Sequence, residues 1–264
     1  MLTRYLICFG WEGFGDRLQS LSYCVNLARS RNRVLFVDWS DRMWFGGFHE
    51  FFDLVDLPYT TVRPEGPTDP SIFEHLRVPV DDWIYDLKEY RIDDSSHRIS
   101  VYPGVGFRAY NYYLLSLHLR FNKQTAEEVQ REMQRLVPTE MKLVHLRGTD
   151  RAWKAEDIHE FAKQHGNVGL ISDDQKAVDE YLKVSPAVSL CAAETDSTPL
   201  HKGKVTREKI IRMLTDFCLL SRFGAGALND QSLFYHVAKM VDVRRWLETA
   251  GDEKNHGEFC IRNC

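Results

Sequence analysis

The residues best equipped for chemistry lie in one short stretch, His145-Leu146-Arg147-Gly148-Thr149-Asp150-Arg151, where an apolar run ends abruptly in charge. A guanidinium stays charged at any workable pH and takes a phosphate through two parallel hydrogen bonds. Arg147 is therefore the candidate for stabilising negative charge, with Arg151 as a second cation. Asp150 reads as a general base or as the ion-pair partner that orients Arg147 or Arg151. A surface turn that happens to carry three charges is the competing reading. Against it stands a matching set of polar residues further on: Asp173 and Asp174 after the next apolar run, Asp216 on a later helix and Ser232 at a helix start. A nucleoside diphosphate would use all of them. Arg147 and the helix N-terminus at Ser232 would hold the diphosphate, Asp173 or Asp174 the ribose hydroxyls, and Asp216 the N1 and N2 edge of guanine. Taken singly, Asp174 and Ser232 also read as helix N-caps, and Asp216 as a surface charge.

A second cluster, Gly10-Trp11-Glu12-Gly13-Phe14-Gly15-Asp16-Arg17, opens the chain's first helix. Glycines there let the backbone approach a ligand, and the helix start carries partial positive charge. Gly13, Gly15 and Arg17 are candidate binding residues, and Asp16 is a candidate general base. Asp38 falls where a ribose-binding acid ends the second strand of a dinucleotide fold. An NAD(P)-dependent oxidoreductase is therefore one alternative. The glycine order is G-x-x-G-x-G rather than G-x-G-x-x-G, and Asp16 and Arg17 stand where a pyrophosphate needs bare backbone. A purely structural turn is another.

Elements must position these groups. Residues 5–9 form a continuous apolar run, expected as a strand covered on both faces. A helix follows with Leu18, Leu21, Val25 and Ala28 on one face, then a strand at 33–39. Residues 51–55 suggest a short helix. Pro58, Pro64, Pro67, Pro70 and Pro79 break the next stretch into loops. A strand is expected at 99–102 and helical core at 107–121. Thr125-Ala126-Glu127-Glu128 reads as a capping box that starts a helix with Val129, Met133 and Leu136 inward, ended by Pro138. Beyond it, strands at 141–147, 167–172, 187–192 and 223–228 alternate with helices at 155–164, from 173, from Thr206 and at 231–240. Alternation of this kind means parallel, doubly wound sheets. The expected fold is α/β: two Rossmann-like domains, 1–138 and 139–264, facing each other across a cleft.

The bulk properties narrow the function classes. The chain has 264 residues, 44% hydrophobic and 27% charged, which suits a soluble globular protein of two domains. A net charge of -4 argues against a general nucleic-acid surface. No apolar run approaches the ~18 residues of a membrane span, and the N-terminus reads as a strand rather than a signal peptide. Cys8, Cys24, Cys191 and Cys218 fall inside apolar elements, as free thiols do in a reducing compartment, so a cytoplasmic location is expected. Cys260 and Cys264 match no zinc spacing. The absence of any D-x-D triplet from the sequence points away from glycosyltransferases that hold a metal on the sugar nucleotide.

Taken in order, Gly13-Phe14-Gly15-Asp16-Arg17, Phe51-Phe52-Asp53-Leu54, His145-Leu146-Arg147-Gly148-Thr149-Asp150, Ser172-Asp173-Asp174 and Asp216-Phe217-Cys218-Leu219-Leu220-Ser221 resemble the GDP-fucose-dependent fucosyltransferases, a group that includes protein O-fucosyltransferases, α-1,6-fucosyltransferases and nodulation fucosyltransferases. The resemblance implies a GT-B-like fold, inversion at the anomeric carbon, no metal or other cofactor, GDP-fucose or another GDP-sugar as donor, and a glycan or other hydroxyl as acceptor. It implies that the first domain serves the acceptor and the second the nucleotide sugar. It places Arg147 on the β-phosphate, His145 and Asp216 on the guanine side and Ser232 on the phosphate side. Asp16 stands where the family often has Asn, and Gly148 where many members have a second Arg. A module of the same fold that binds a nucleotide sugar or glycan without turnover is the non-enzyme alternative.

Overall fold

The structure is a computed structural model that describes residues 5–9, 13–39, 44, 46–61, 83–85, 99–102, 112–136, 141–147, 153–189, 205–228 and 232–248. It divides into two compact units, Met1–Ala126 with Arg244–Cys264, and Glu127–Val243.

The first unit is built on a five-stranded sheet in which every pairing is parallel. Its strands are β1 (Tyr5–Phe9), β2 (Val34–Asp38), β4 (Tyr59–Thr61), β5 (Trp83–Tyr85) and β6 (Ile99–Tyr102), ordered β4-β2-β1-β6-β5. Helix α1 (Phe14–Ser30) follows β1, and Leu18, Leu21, Cys24, Val25 and Ala28 are buried at helical spacing. The expected β-α-β start is therefore present. Residues 51–55 are not a helix. After a 3-10 turn at Phe48–Glu50, β3 (Phe52–Leu54) pairs antiparallel with β7 (Leu119–Phe121). The burial alternates, with Phe52 and Leu54 inside and Asp53 half out, which is the period of a strand. Helix α2 (Tyr112–His118) occupies part of the apolar stretch expected as helix, and residues 119–121 depart into β7.

The capping box at Thr125 is corrected. Helix α3 (Lys123–Leu136) starts earlier, and Asn122 Oδ1 accepts from the Thr125 backbone N–H at 2.9 Å. Asn122 also donates from Nδ2 to the His49 carbonyl at 3.1 Å and from its backbone N–H to the Phe51 carbonyl at 3.0 Å. One side chain thus starts α3 and ties it to β3's approach. Val129 and Met133 are buried as expected. Pro138 lies outside the described residues. The units divide at 126/127 and 243/244 rather than at one point. Two features account for this: α3's first turn is anchored to residues 49–51, and Trp246 of α8 (Val243–Leu247) packs edge-on against Phe52 and Phe121.

The second unit carries a four-stranded sheet, ordered β10-β9-β8-β11 and parallel throughout. Its strands are β8 (Leu143–Leu146), β9 (Val168–Ser172), β10 (Ala187–Ser189) and β11 (Gly224–Leu228). Between them run α4 (Ala155–His165), α5 (Gln175–Leu182) and α6 (Arg207–Phe223), and α7 (Leu233–Met240) follows β11. Val144 and Leu146 pack with Ile158, Ala162, Ala177, Val178 and Tyr181 of α4 and α5. Residues of opposite parity on β8 must face the other way, and His145 meets Phe234 and Tyr235 of α7. The sheet is covered on both faces, as the alternation required. Helix α6 turns directly into β11 at Gly224. A Cβ there would stand 2.4 Å from the Leu220 carbonyl oxygen and 3.1 Å from the Tyr235 ring, so no larger residue fits without moving backbone.

Substituting Asn122→Ala removes a cap and a loop tie together, and a loss of about 1–2 kcal/mol is expected in chemical denaturation. Asn122→Asp keeps the cap oxygen and recovers most of that loss.

Candidate functional site

Strand register decides which side chains meet. Leu146 of β8 is level with Ser172 of β9, and with Leu228 of β11. The three strands therefore end together, and the residues after them share one sheet edge. Ser172 Oγ donates to the Leu146 carbonyl at 2.6 Å and accepts from the Asp174 backbone N–H at 3.0 Å. That hydroxyl locks the two strand ends and the turn into α5.

His145 is the buried centre of this edge, 5% exposed beneath Phe234 and Tyr235. Burial pushes its pKa down to about 4; Asp173 pulls the other way and Arg147 adds to the lowering. Both charges are thus within electrostatic reach of the imidazole, which is neutral at pH 7. Its Nδ1 lies 3.3 Å from Ser232 Oγ. Ser232 is 1% exposed and precedes α7, but its hydroxyl makes no cap bond there. It is turned to the histidine instead. His145, Arg147, Asp173 and Ser232 are the expected site residues that the fold brings together. Arg147 and Asp173 are half-buried. Asp150 and Arg151 lie outside the described residues.

Asp174 is used otherwise. Its Oδ1 caps α5 by accepting from the Lys176 N–H at 2.9 Å, and its Oδ2 accepts from the Trp153 indole N–H at 3.0 Å. Each carboxylate oxygen thus accepts one protein donor, which fixes the side chain at the start of α5 beside Trp153. Asp216 belongs to an ion-pair ladder between α3 and α6. Arg212 Nε lies 3.3 Å from Asp216 Oδ1, Arg212 Nη1 4.0 Å from Glu132, and Arg207 3.4 Å from Glu128. Burial pushes the Asp216 carboxyl up to about 7, against the pull of Arg212.

The other candidates sit in the first unit. Gly13 precedes α1, Gly15 is buried in its first turn, and Asp16 is half-buried in that turn, where a carboxylate complements the helix dipole. Arg17 is wholly buried, its guanidinium 5.6 Å from the Trp39 ring centre and 5.1 Å from that of Trp44. Phe14, Phe48 and Phe52 extend the same aromatic cluster. Arg17 is therefore a cation set into an aromatic core, not the accessible binding residue expected. The electron-rich faces of the two indoles accommodate the charge. Sequence reasoning placed Ser172 in a motif without giving it a role, and missed Trp153. A serine closing an apolar strand and a tryptophan inside a polar connection were the available signals.

No protein-family model and no curated protein matches the sequence. Solved structures do match. Fucosyltransferase NodZ from Bradyrhizobium aligns at 16% identity and a TM-score of 0.61, covering 91% of this chain and 94% of its own. NodZ α-1,6-fucosyltransferase co-crystallised with GDP aligns at 18% identity and a TM-score of 0.62, covering 91% and 93%. POFUT1 in complex with GDP-fucose aligns at 13% identity and a TM-score of 0.51, covering 90% and 94%. These likenesses establish a mixed α/β fold similar to that of the fucosyltransferases, as the sequence resemblance implied.

His145 and Asp216 tilt stability in opposite directions over one pH interval. Native His145 takes a proton only near pH 4, whereas the unfolded imidazole does so near 6.5. Its contribution is full above 6.5 and drains as pH falls. Native Asp216 keeps its proton up to about 7, whereas the unfolded carboxyl releases it near 3.8. Its contribution is full below 3.8 and drains as pH rises. Asp216→Asn removes the second slope. Relative to the parent protein, this variant should therefore gain on the order of 1–3 kcal/mol between pH 4.5 and 6.5 in paired denaturation curves.

Proposed function

We propose that this protein is a fucosyltransferase-like glycosyltransferase that moves a sugar, fucose in the first place, from a GDP-sugar to a hydroxyl of a glycan or other acceptor. The observation that carries the reading is the gathering of Arg147, Asp173 and Ser232 around the buried His145, at the C-terminal ends of β8 and β9. Ligands of open α/β sheets bind beyond those ends. The fold similarity adds support, because the NodZ structures carry GDP or GDP-fucose and POFUT1 carries GDP-fucose. In this reading the architecture is GT-B-like, with a nucleotide-sugar domain and an acceptor domain.

The chemistry follows from charge. The acceptor oxygen forms a bond to the anomeric carbon from the face opposite the diphosphate, and configuration inverts. The bond to the β-phosphate oxygen breaks, and its electron pair leaves with GDP. Negative charge grows on that phosphate while the sugar ring passes through an oxocarbenium-like state. Arg147 opposes the growing charge as a fixed cation, assisted by N–H groups at the start of α7, and no metal is needed for that task. His145 stays neutral, so it adds no charge of its own and holds Ser232 in place. The acceptor proton goes to a carboxylate, for which Asp16 and Asp150 are the candidates. A reducing, cytoplasmic setting belongs to the same reading. Among the described residues no helix is long and apolar enough to cross a membrane.

Thermal shift with GDP-, UDP- and dTDP-sugars and NAD should show stabilisation by the GDP compounds alone. With GDP-fucose, release of GDP should fall by about 10²–10³ in Arg147→Ala, the usual cost of one such donor. Near-parental turnover would take Arg147 out of the reaction. Tight GDP-fucose binding with no release in any acceptor mixture would make the protein a binding module.

A further inference from the structure

The imidazole of His145 has two unlike ends. Its Nδ1 lies 3.3 Å from Ser232 Oγ, where both side chains are buried, 5% and 1% exposed. Its Nε2 bonds to no described residue and is not sealed from solvent, so the ring's slight exposure includes that atom. Phe234 and Tyr235 flank the ring. It is neutral at pH 7, because burial holds its pKa down to about 4.

A neutral imidazole carries one N–H and one bare nitrogen. Ser232 decides which end is which. Its hydroxyl makes no cap bond on α7, and Nδ1 is its one partner among the described residues. If Nδ1 carried the hydrogen, it would donate to Oγ, and the hydroxyl's own hydrogen would be buried with nothing to bond. A buried donor left unmade is the costly arrangement. If the hydroxyl donates to Nδ1 instead, that cost disappears. The ring's hydrogen then stands on Nε2, where solvent or a ligand can accept it.

We propose that Ser232 is a positioning residue that fixes His145 as the Nε2–H tautomer, so that the ring offers the site one uncharged hydrogen-bond donor of set direction. The inference rests on the reading of this sheet edge as a nucleotide site. The ligand group that meets Nε2 must then be an acceptor: a carbonyl oxygen or bare ring nitrogen of the base, or a phosphate oxygen. An amino group at the same point would meet the N–H donor against donor.

Nitrogen NMR of the unliganded protein at pH 7 reads the tautomer directly. His145 Nδ1 should show the shift of a bare, hydrogen-bonded ring nitrogen, and Nε2 that of a protonated one. In Ser232→Ala the Nδ1 signal should move to that of a bare nitrogen with no donor. A proton on Nδ1 in the parental protein overturns the proposal, and so does an Nδ1 signal that ignores Ser232→Ala. By calorimetry with GDP as the probe, Ser232→Ala and His145→Phe should each bind about five- to tenfold more weakly, as expected for one hydrogen bond. In the His145→Phe background, Ser232→Ala should cost nothing further. Losses that add fully overturn the proposal, since they mark a role for Ser232 apart from the ring. Guanosine and pyrophosphate then divide the ligand. The His145→Phe penalty should appear with guanosine alone if the acceptor is on the base, and with pyrophosphate alone if it is on the phosphates. A penalty with neither, or an equal one with both, overturns the donor role. A parental protein that fails to bind GDP would sink the functional reading instead, and the NMR would still judge the tautomer.

Discussion

The level ending of β8 and β9 is the constraint on which the candidate site depends. Parallel pairing puts Leu146 beside Ser172, and a single hydroxyl bond fixes that alignment. A slip by one residue would send His145 to the α4/α5 side and carry Leu146 out of the apolar cluster. The cost of burying an imidazole among aromatic rings thus becomes a register lock. Only one alignment gives the ring both its Ser232 partner and its seat beside Phe234 and Tyr235. The polar groups above it inherit their positions from a buried, neutral base that titrates well below its ordinary range.

The first unit solves a different problem by similar means. Its strands are short, and much of its core is aromatic. Arg17 lies inside that core beside Trp39 and Trp44, where a cation is tolerated because ring faces carry partial negative charge. His118 makes a second polar tie. Its Nδ1 donates to the Val55 carbonyl at 2.8 Å, which leaves Nε2 to accept from Arg29 at 3.0 Å. The end of α1, the end of α2 and the exit from β3 are joined by one ring.

Much of the second unit was legible from 3.6-residue periodicity alone. Ile158 and Ala162, Ala177, Val178 and Tyr181, and Ile210, Leu214 and Phe217 are buried, and each set recurs at helical spacing. Thr206 caps α6 as expected. The first unit was less readable for a physical reason. β3 is three residues long and finds its partner only at β7, beyond three further strands and α2, so nothing local distinguishes it from a helical turn. In the second unit, the fold gathers four of the residues singled out by type, Arg147, Asp173, Ser232 and His145, because each stands at or next to the end of an element. The helix-cap reading of Asp174 holds, while its bond to the Trp153 indole and the burial of Arg17 were not foreseen. An arginine among tryptophans looks like a ligand cation until its burial is known. The pairing of Asp216 with Arg212 was four residues away on the same helix, whereas Glu132 on α3 was out of sight.

Trp246 gives the chain an unusual order of completion during synthesis. The aromatic core it joins is otherwise made of residues before 122, yet Glu127–Val243 must leave the ribosome before Trp246 does. The contiguous second unit has all its parts first. The amino-terminal unit lacks this one ring against Phe52 and Phe121 for the time needed to translate more than a hundred codons, at roughly 5–20 residues per second. Nascent-chain handling, rather than the finished protein's stability, is where that arrangement exacts its toll.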